Sequence, residues 1–166
     1  MPTLREVDQR FHALLAITDR IIDQELDHWT GPRVVYRPPT LCVGVGCRRG
    51  VELEQVRSLF ETVMHEAKLA SASLAAVATV SLKGDEPALR QFAEAMQVPL
   101  LSFTVEDLSR LYPLPTPSEL VLAKIGLLGV AEPAAMLAAG TRKLLVTKQA
   151  SDSVTLAVAR RNLGTL

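Results

Sequence analysis

The densest group of chemistry-bearing residues is Gly44-Val45-Gly46-Cys47-Arg48-Arg49-Gly50, which closes one apolar run and precedes an amphipathic one. Glycines at such a junction let the backbone approach a ligand closely, and the free N–H groups of a helix start favour an anion. Arg48 and Arg49 add charge and bidentate donors suited to carboxylates. The pattern is neither GxGxxG nor a Walker loop, because no Lys-Ser/Thr pair follows the last glycine, so a nucleotide is poorly supported. The competing reading is a tight strand-to-helix turn whose arginines are merely solvated. Cys47 could act as a nucleophile if the helix start and the arginines lowered its pKa, but no histidine lies nearby in sequence to serve as its base.

Three further groups carry polar chemistry. Lys83-Gly84-Asp85-Glu86 follows a second apolar run, where Lys83 could share a cleft with Arg48 and Arg49; alternatively Asp85 caps a helix and Lys83 is solvated. Ser118-Glu119 follows a proline-rich loop and has the look of a functional serine, yet no His–Asp pair can be set beside it, which favours a capping role. Lys148 is either a hairpin charge or a fourth cation for an anionic ligand.

The elements that would position these residues alternate between strands and helices. Residues 40–46, 74–82 and 99–103 read as strands, the first a short Val-rich run closed by glycines. Leu53, Val56, Phe60, Val63, Met64 and Ala67 fall on one helical face between the first two. Leu89, Phe92, Ala93 and Met96 do the same between the second and third, with Asp85 as N-cap and Pro87 in the first turn. Helical connections between strands imply right-handed parallel crossovers, so these three strands are expected to be parallel.

Tyr112 to Ser118 holds three prolines and reads as an extended loop. Thr116 and Glu119 form a capping-box pattern for a helix over 117–125, and a second helix over 131–139 ends at Gly140. Residues 142–147 and 154–160 then suit an antiparallel hairpin. At the front, Leu4, Val7, Phe11, Leu14, Leu15, Ile21, Ile22 and Leu26 fit a helical period over 4–26, although the stretch LLAITDR could instead be a strand. The expected fold is a three-layer α/β/α domain with a mixed sheet of about five strands. The expected boundaries are an N-terminal segment with linker over 1–37 and the main domain over 38–166.

Composition narrows the function classes. The 166 residues are 48% hydrophobic and 22% charged, as in a globular protein, and only 4% aromatic, so the core must be mainly aliphatic. Lys plus Arg and Asp plus Glu are equal at 18 each, which removes long-range steering toward nucleic acid or an anionic membrane. From Leu120 onward six basic residues (Lys124, Arg142, Lys143, Lys148, Arg160, Arg161) oppose two acidic ones (Glu132, Asp152), so an anionic small molecule could be received there. Cys42 and Cys47 lack CxxC spacing and no secretory leader is evident, which makes a reduced cytoplasmic protein the expectation. No apolar run approaches the roughly 20 residues of a membrane span. His12, His28 and His65 lack ligand spacing, so neither a metal nor a cofactor is expected.

The ordered series GVGCRRG, SLKGDEPAL, TPSELV with Gly129-Val130-Ala131-Glu132, LLVTK and VTLAVAR resembles the C-terminal domain shared by CbiG and CobE proteins of cobalamin synthesis. The likeness runs from about Pro38 to Arg160, and AITDR…VVYRPPT resembles the tail of the CbiG middle region. The resemblance implies a three-layer α/β/α fold and a corrinoid precursor as ligand. CbiG proteins are cobalt-precorrin-5A hydrolases, which open a lactone on the macrocycle and release acetaldehyde. The family's motif positions fall on Gly44, Gly46, Cys47, Arg48, Arg49, Gly50, Lys83, Asp85, Glu86, Pro87, Ser118, Glu119 and Lys148, none with an assigned catalytic role. CbiG also has an N-terminal domain with its own glycine-rich pattern, and this sequence has no counterpart of it. Two readings follow, a stand-alone CobE-like protein or the C-terminal piece of a split CbiG. The alternative is a non-catalytic interaction module that docks an N-terminal CbiG-like subunit, and that subunit or another cobalamin-pathway enzyme would be the partner.

Overall fold

The structure, a computed structural model, describes residues 12–117 and 129–161. Its centre is a five-stranded mixed sheet built from β3 (Leu41–Cys47), β4 (Leu74–Val80), β5 (Leu100–Phe103), β6 (Leu144–Ala150) and β7 (Val154–Arg160), in the order β5-β4-β3-β7-β6. β3, β4 and β5 are mutually parallel, while β7 runs antiparallel to both β3 and β6. The alternation of strand and helix in the sequence therefore gives the expected parallel half, and the polar turn near residue 152 gives the expected hairpin. The hairpin's first strand begins two residues later than its pattern suggests and carries two register shifts.

The two faces of the sheet are filled differently, and this follows from the alternation of side chains along each strand. Leu41, Val43, Val45, Leu74, Val77, Leu156 and Val158 point to one face. There they meet Val56, Phe60, Val63 and Met64 of α1 (Leu53–Glu66) and Leu89 and Phe92 of α2 (Pro87–Ala95). Phe60 and Phe92 join the two helices edge to face, with ring centroids 5.1 Å apart. The opposite face carries Cys42, Gly44, Ala76, Ala78, Ala157 and Ala159, which are small. A short α3 (Val105–Ser109), which hydrophobic periodicity did not reveal, flanks that side. Against the small residues lies α4 (Ala131–Ala139), itself rich in alanine.

Gly44 sets how close α4 can come. A Cβ on it would overlap the Ala131 carbonyl oxygen and stand 2.5 Å from the Ala135 nitrogen, so helix backbone rests directly on strand backbone. α4 ends at Gly140, whose φ of +64° is the left-handed C-terminal turn expected of that glycine.

Ahead of the main sheet, β1 (Leu14–Ile17) and β2 (Arg33–Tyr36) form a separate two-stranded parallel sheet. The helix expected over 4–26 is thus corrected for 14–17 in favour of the strand alternative, because Leu14 and Ala16 are buried while Leu15 and Ile17 are exposed, a period of two. Residues 1–11 lie outside the described residues, as does most of the helix expected over 117–125. Asp19 fastens this small sheet to the domain. Its carboxylate accepts from Arg160 Nε at 2.6 Å and Nη2 at 2.7 Å and from the Thr40 hydroxyl at 2.7 Å. Burial pushes the Asp19 carboxyl up, but the hydrogen bonds from Arg160 and Thr40, with the guanidinium charge, outweigh it and hold the group below its ordinary range. Among the described residues no helix is long and apolar enough to cross a membrane.

Two outcomes follow from these contacts. Gly44→Ala should lower unfolding free energy by about 3 kcal/mol, as overpacking against backbone does, and a urea midpoint equal to that of the parent would contradict the contact. Because the Asp19 carboxyl is depressed on folding, its contribution is present above the ordinary value of 3.8 and is lost as pH falls through the lower folded value. The single tryptophan, Trp29, packs under the small sheet, so its fluorescence in urea titrations across acid pH should report that loss, and Asp19→Asn should reduce the dependence, with Asp107, also held below its ordinary range by Thr104, leaving a remainder.

Candidate functional site

The C-terminal ends of β3, β4 and β5 share one edge of the sheet, where open α/β sheets bind their ligands. β6 is antiparallel to β7 and so runs parallel to β3, which brings its end to the same edge. The loop from Cys47 to Glu52 enters α1 there, capped by reciprocal bonds between Glu52 and Gln55, and the turn from Ser81 to Glu86 enters α2. Gly46 lies against Val130 at the start of α4, so that helix also begins at this edge. Three helix N-termini therefore face the region to which sequence assigned an anion.

Glu86 organises the centre of the edge. It is 8% exposed and, in place of Asp85, stands at the N-cap of α2. Its Oε1 accepts from the Gly50 backbone N–H at 2.9 Å, which ties the turn after β3 to the turn after β4. Lys83 Nζ lies 3.9 Å from Glu86 Oε2, so its charge is already partly answered. Asp85, expected to cap the helix, instead pairs with Arg90 on the exposed surface, because the chain is one residue further from the helix than the pattern implies.

Gly50 has a φ of +70° with open space around it, which is the turn geometry that its residue type permits. Gly44 and Gly46 are explained by packing, against α4 backbone for the first and against Thr155 Oγ1 and Val130 for the second. Arg48 and Arg49 are exposed, and neither side chain has a hydrogen bond or ion pair among the described residues. The Arg48 backbone N–H donates to the Ser153 carbonyl at 2.9 Å, which fixes the arginine turn to the β6–β7 hairpin.

Lys148 belongs to a second network. Its Nζ donates to the Thr116 carbonyl at 2.9 Å, and its backbone N–H donates to Glu132 Oε1 at 3.0 Å. Glu132 is only 2% exposed and also accepts from the Thr116 hydroxyl at 2.6 Å and the Thr116 N–H at 3.1 Å. The hydroxyl read from sequence as a helix cap is thus held by a buried carboxylate. Sequence reasoning did not single out Glu132. The available signal was one carboxylate in the first turn of an otherwise apolar run, AEPAAMLAA, where burial demands partners. Ser118 and Glu119 lie outside the described residues.

The thiol at this edge is not activated. Burial pushes the Cys47 thiol up to about 11, with the Lys83 charge opposing and the Glu86 charge adding. The lowered pKa that a nucleophile would need is therefore absent, because desolvation outweighs the nearby cation. His65 sits in the last turn of α1, at the opposite end of the helix from the edge. No group of three or more His, Cys, Asp or Glu suited to a metal occurs among the described residues. Cys47 should accordingly resist iodoacetamide at pH 7 and gain reactivity only near its raised pKa. Glu86→Gln should lower the onset of that reactivity. Rapid alkylation of Cys47 at neutral pH in the folded protein would contradict this geometry.

A family model described as "Cobalamin synthesis G C-terminus" matches residues 41–159. The chain is 32% identical over 148 residues to the cobalt-precorrin-5A hydrolase of Priestia megaterium, covering 89% of this chain and 39% of that protein. It is 36% identical over 121 residues to Protein CobE of a Sinorhizobium species, covering 72% of this chain and 79% of CobE. A solved CobE structure superposes with a TM-score of 0.69 at 37% identity, over 74% of this chain and 91% of that one. This chain thus spans about two fifths of the hydrolase and most of CobE. With the matched residues running from β3 to the end of β7, the chain belongs to the CbiG C-terminal family of cobalamin synthesis.

Proposed function

We propose that this chain receives a corrin-ring precursor at the cationic edge of its sheet, as a stand-alone CobE-like protein or as the C-terminal part of a CbiG-type hydrolase acting in the cytoplasm. The observation that carries this reading is the contrast among the basic residues there. Lys83 and Lys148 already have protein partners, whereas Arg48 and Arg49 are exposed and unpartnered among the described residues. They stand beside three helix N-termini and an open glycine turn.

Corrin precursors carry several acetate and propionate carboxylates around an apolar macrocycle. Guanidinium groups answer the carboxylates as bidentate donors. Leu82, 57% exposed in the turn after β4, offers apolar surface on the loop next to the arginines. Glu86 and its bond to Gly50 N–H hold the two loops in register, so that the ligand meets a preformed edge.

Binding, not turnover, is the role assigned to this chain by itself. Opening a lactone calls for an activated nucleophile or a general base. Cys47 is held protonated, the two buried carboxylates at this edge, Glu86 and Glu132, are committed to backbone and hydroxyl donors, Glu52 is engaged in capping α1, and Asp85 is paired with Arg90.

Absorbance titration of a precorrin into the protein tests the proposal. A saturable spectral change is expected, weakened roughly tenfold or more when Arg48→Ala and Arg49→Ala are combined, as exposed ion pairs imply. Lys83→Ala should weaken it less, and added salt should weaken it in the parent. No spectral change at high micromolar protein, or an unaltered affinity in the double variant, would overturn it.

A further inference from the structure

The two-stranded sheet at the other end of the domain exposes a face that parallel sheets do not normally leave open. In the parallel register Leu15 faces Val34 and Ile17 faces Tyr36, so all four side chains stand on one side. They are 66%, 63%, 65% and 54% exposed. The reverse side is packed, with Leu14 and Ala16 over Ile22, Leu26 and Trp29. Parallel strands occur almost only where both faces are covered, and two strands alone are marginal in water. No third strand joins this sheet among the described residues. Contiguous apolar surface of this kind marks an interaction site.

The open face is also held rigidly. The Asp19 carboxylate with Arg160 and Thr40, the Ala70 N–H donating to Asp19 O, and the Ile21 N–H donating to Lys68 O fasten the segment behind it to the main domain. These anchors lie at the start of β3 and the end of β7, so the face is at the opposite sheet edge from Arg48 and Arg49. A partner seated there leaves the cationic edge free.

The relatives indicate what kind of partner fits. A match covering 89% of 166 residues cannot begin later than Arg20, so the likeness to the Priestia megaterium hydrolase takes in β2 as well as the family domain. The matched part is only 39% of that hydrolase, and the family model is described as a C-terminus, that of cobalamin synthesis G. The hydrolase therefore shares β2, the strand that carries Val34 and Tyr36 of the open face, and has most of its chain remaining to cover it.

We propose that Leu15, Ile17, Val34 and Tyr36 form the docking surface for a separate folded domain, the counterpart of the hydrolase portion that this chain does not match. That domain lays an apolar helix or sheet face over the four side chains and completes the β1–β2 sheet as a two-sided one. The inference stands apart from ligand binding at the cationic edge and keeps its meaning if that binding fails.

The test is co-expression of the full 166-residue chain with the unmatched portion of the Priestia megaterium hydrolase, followed by co-purification through a tag on the 166-residue chain. A stoichiometric complex is expected, lost when Ile17→Glu and Val34→Glu are combined, with the melting temperature of the chain alone and its precorrin titration both unchanged. Leu15→Ser with Tyr36→Ser, a milder pair, should weaken the complex in the same direction. Absence of a complex with the parent chain, or a complex indifferent to both pairs, would overturn the proposal. So would a homodimer of the chain alone that the glutamates dissolve, since a second copy would then be the occupant. A large loss of stability in the isolated variants would also overturn it, by assigning the face to residues 1–11 of the same chain.

Discussion

The arrangement depends on one close approach, that of α4 onto the small-residue face of the sheet. Because Gly44 has no Cβ, the first turns of the helix rest on β3 itself, with Ala76, Ala78, Ala157 and Ala159 making room on either side. The larger aliphatic residues are thereby sorted to the other face, under α1 and α2. The same contact fixes where α4 begins. With Val130 against Gly46, Glu132 in the first turn is placed to collect Thr116 from the proline loop and Lys148 from β6. A glycine that looks like a ligand contact in sequence thus helps to shape this edge through packing.

At that edge, charged groups divide into those held by protein partners and those left exposed. Glu86 and Glu132 are buried, and each joins two segments distant in sequence. Burying a carboxylate is costly unless its oxygens are answered, and here backbone N–H groups and a hydroxyl answer them. Lys83 and Lys148 are drawn into these networks. Arg48 and Arg49 remain outside, on a turn held by Gly50 and by the bond to Ser153. The other end of the domain uses the same device, since Asp19 is buried and answered by Arg160 and Thr40, but what it holds in place is an apolar face.

Much of this was legible in the sequence because it is periodic. Residues alternating between glycine-closed Val runs and 3.6-residue apolar faces give the parallel β3-β4-β5 half and its crossovers, and the polar turn gives the hairpin. The grouping of Arg48, Arg49 and Lys83 at one edge follows from that topology alone. What was not legible depends on contacts between distant segments. LLAITDR satisfies a helical period as well as a strand, and only burial of Leu14 and Ala16 against Ile22 and Leu26 decides between them. The exchange of roles between Asp85 and Glu86 rests on where α2 begins, to within one residue. The partners of Glu132 and the direction of the Cys47 shift are consequences of burial and of contacts between distant segments, which no local spacing encodes.

The central claim is that a corrin precursor is received where Arg48 and Arg49 stand, away from the β1–β2 sheet. Amide chemical shifts of the 15N-labelled protein during a precorrin titration test it most directly. The predicted result is perturbation concentrated at residues 46–50 and 81–86, with Leu15, Ile17, Val34 and Tyr36 unmoved. Perturbation centred on the β1–β2 sheet, or spread evenly over the surface, would contradict it.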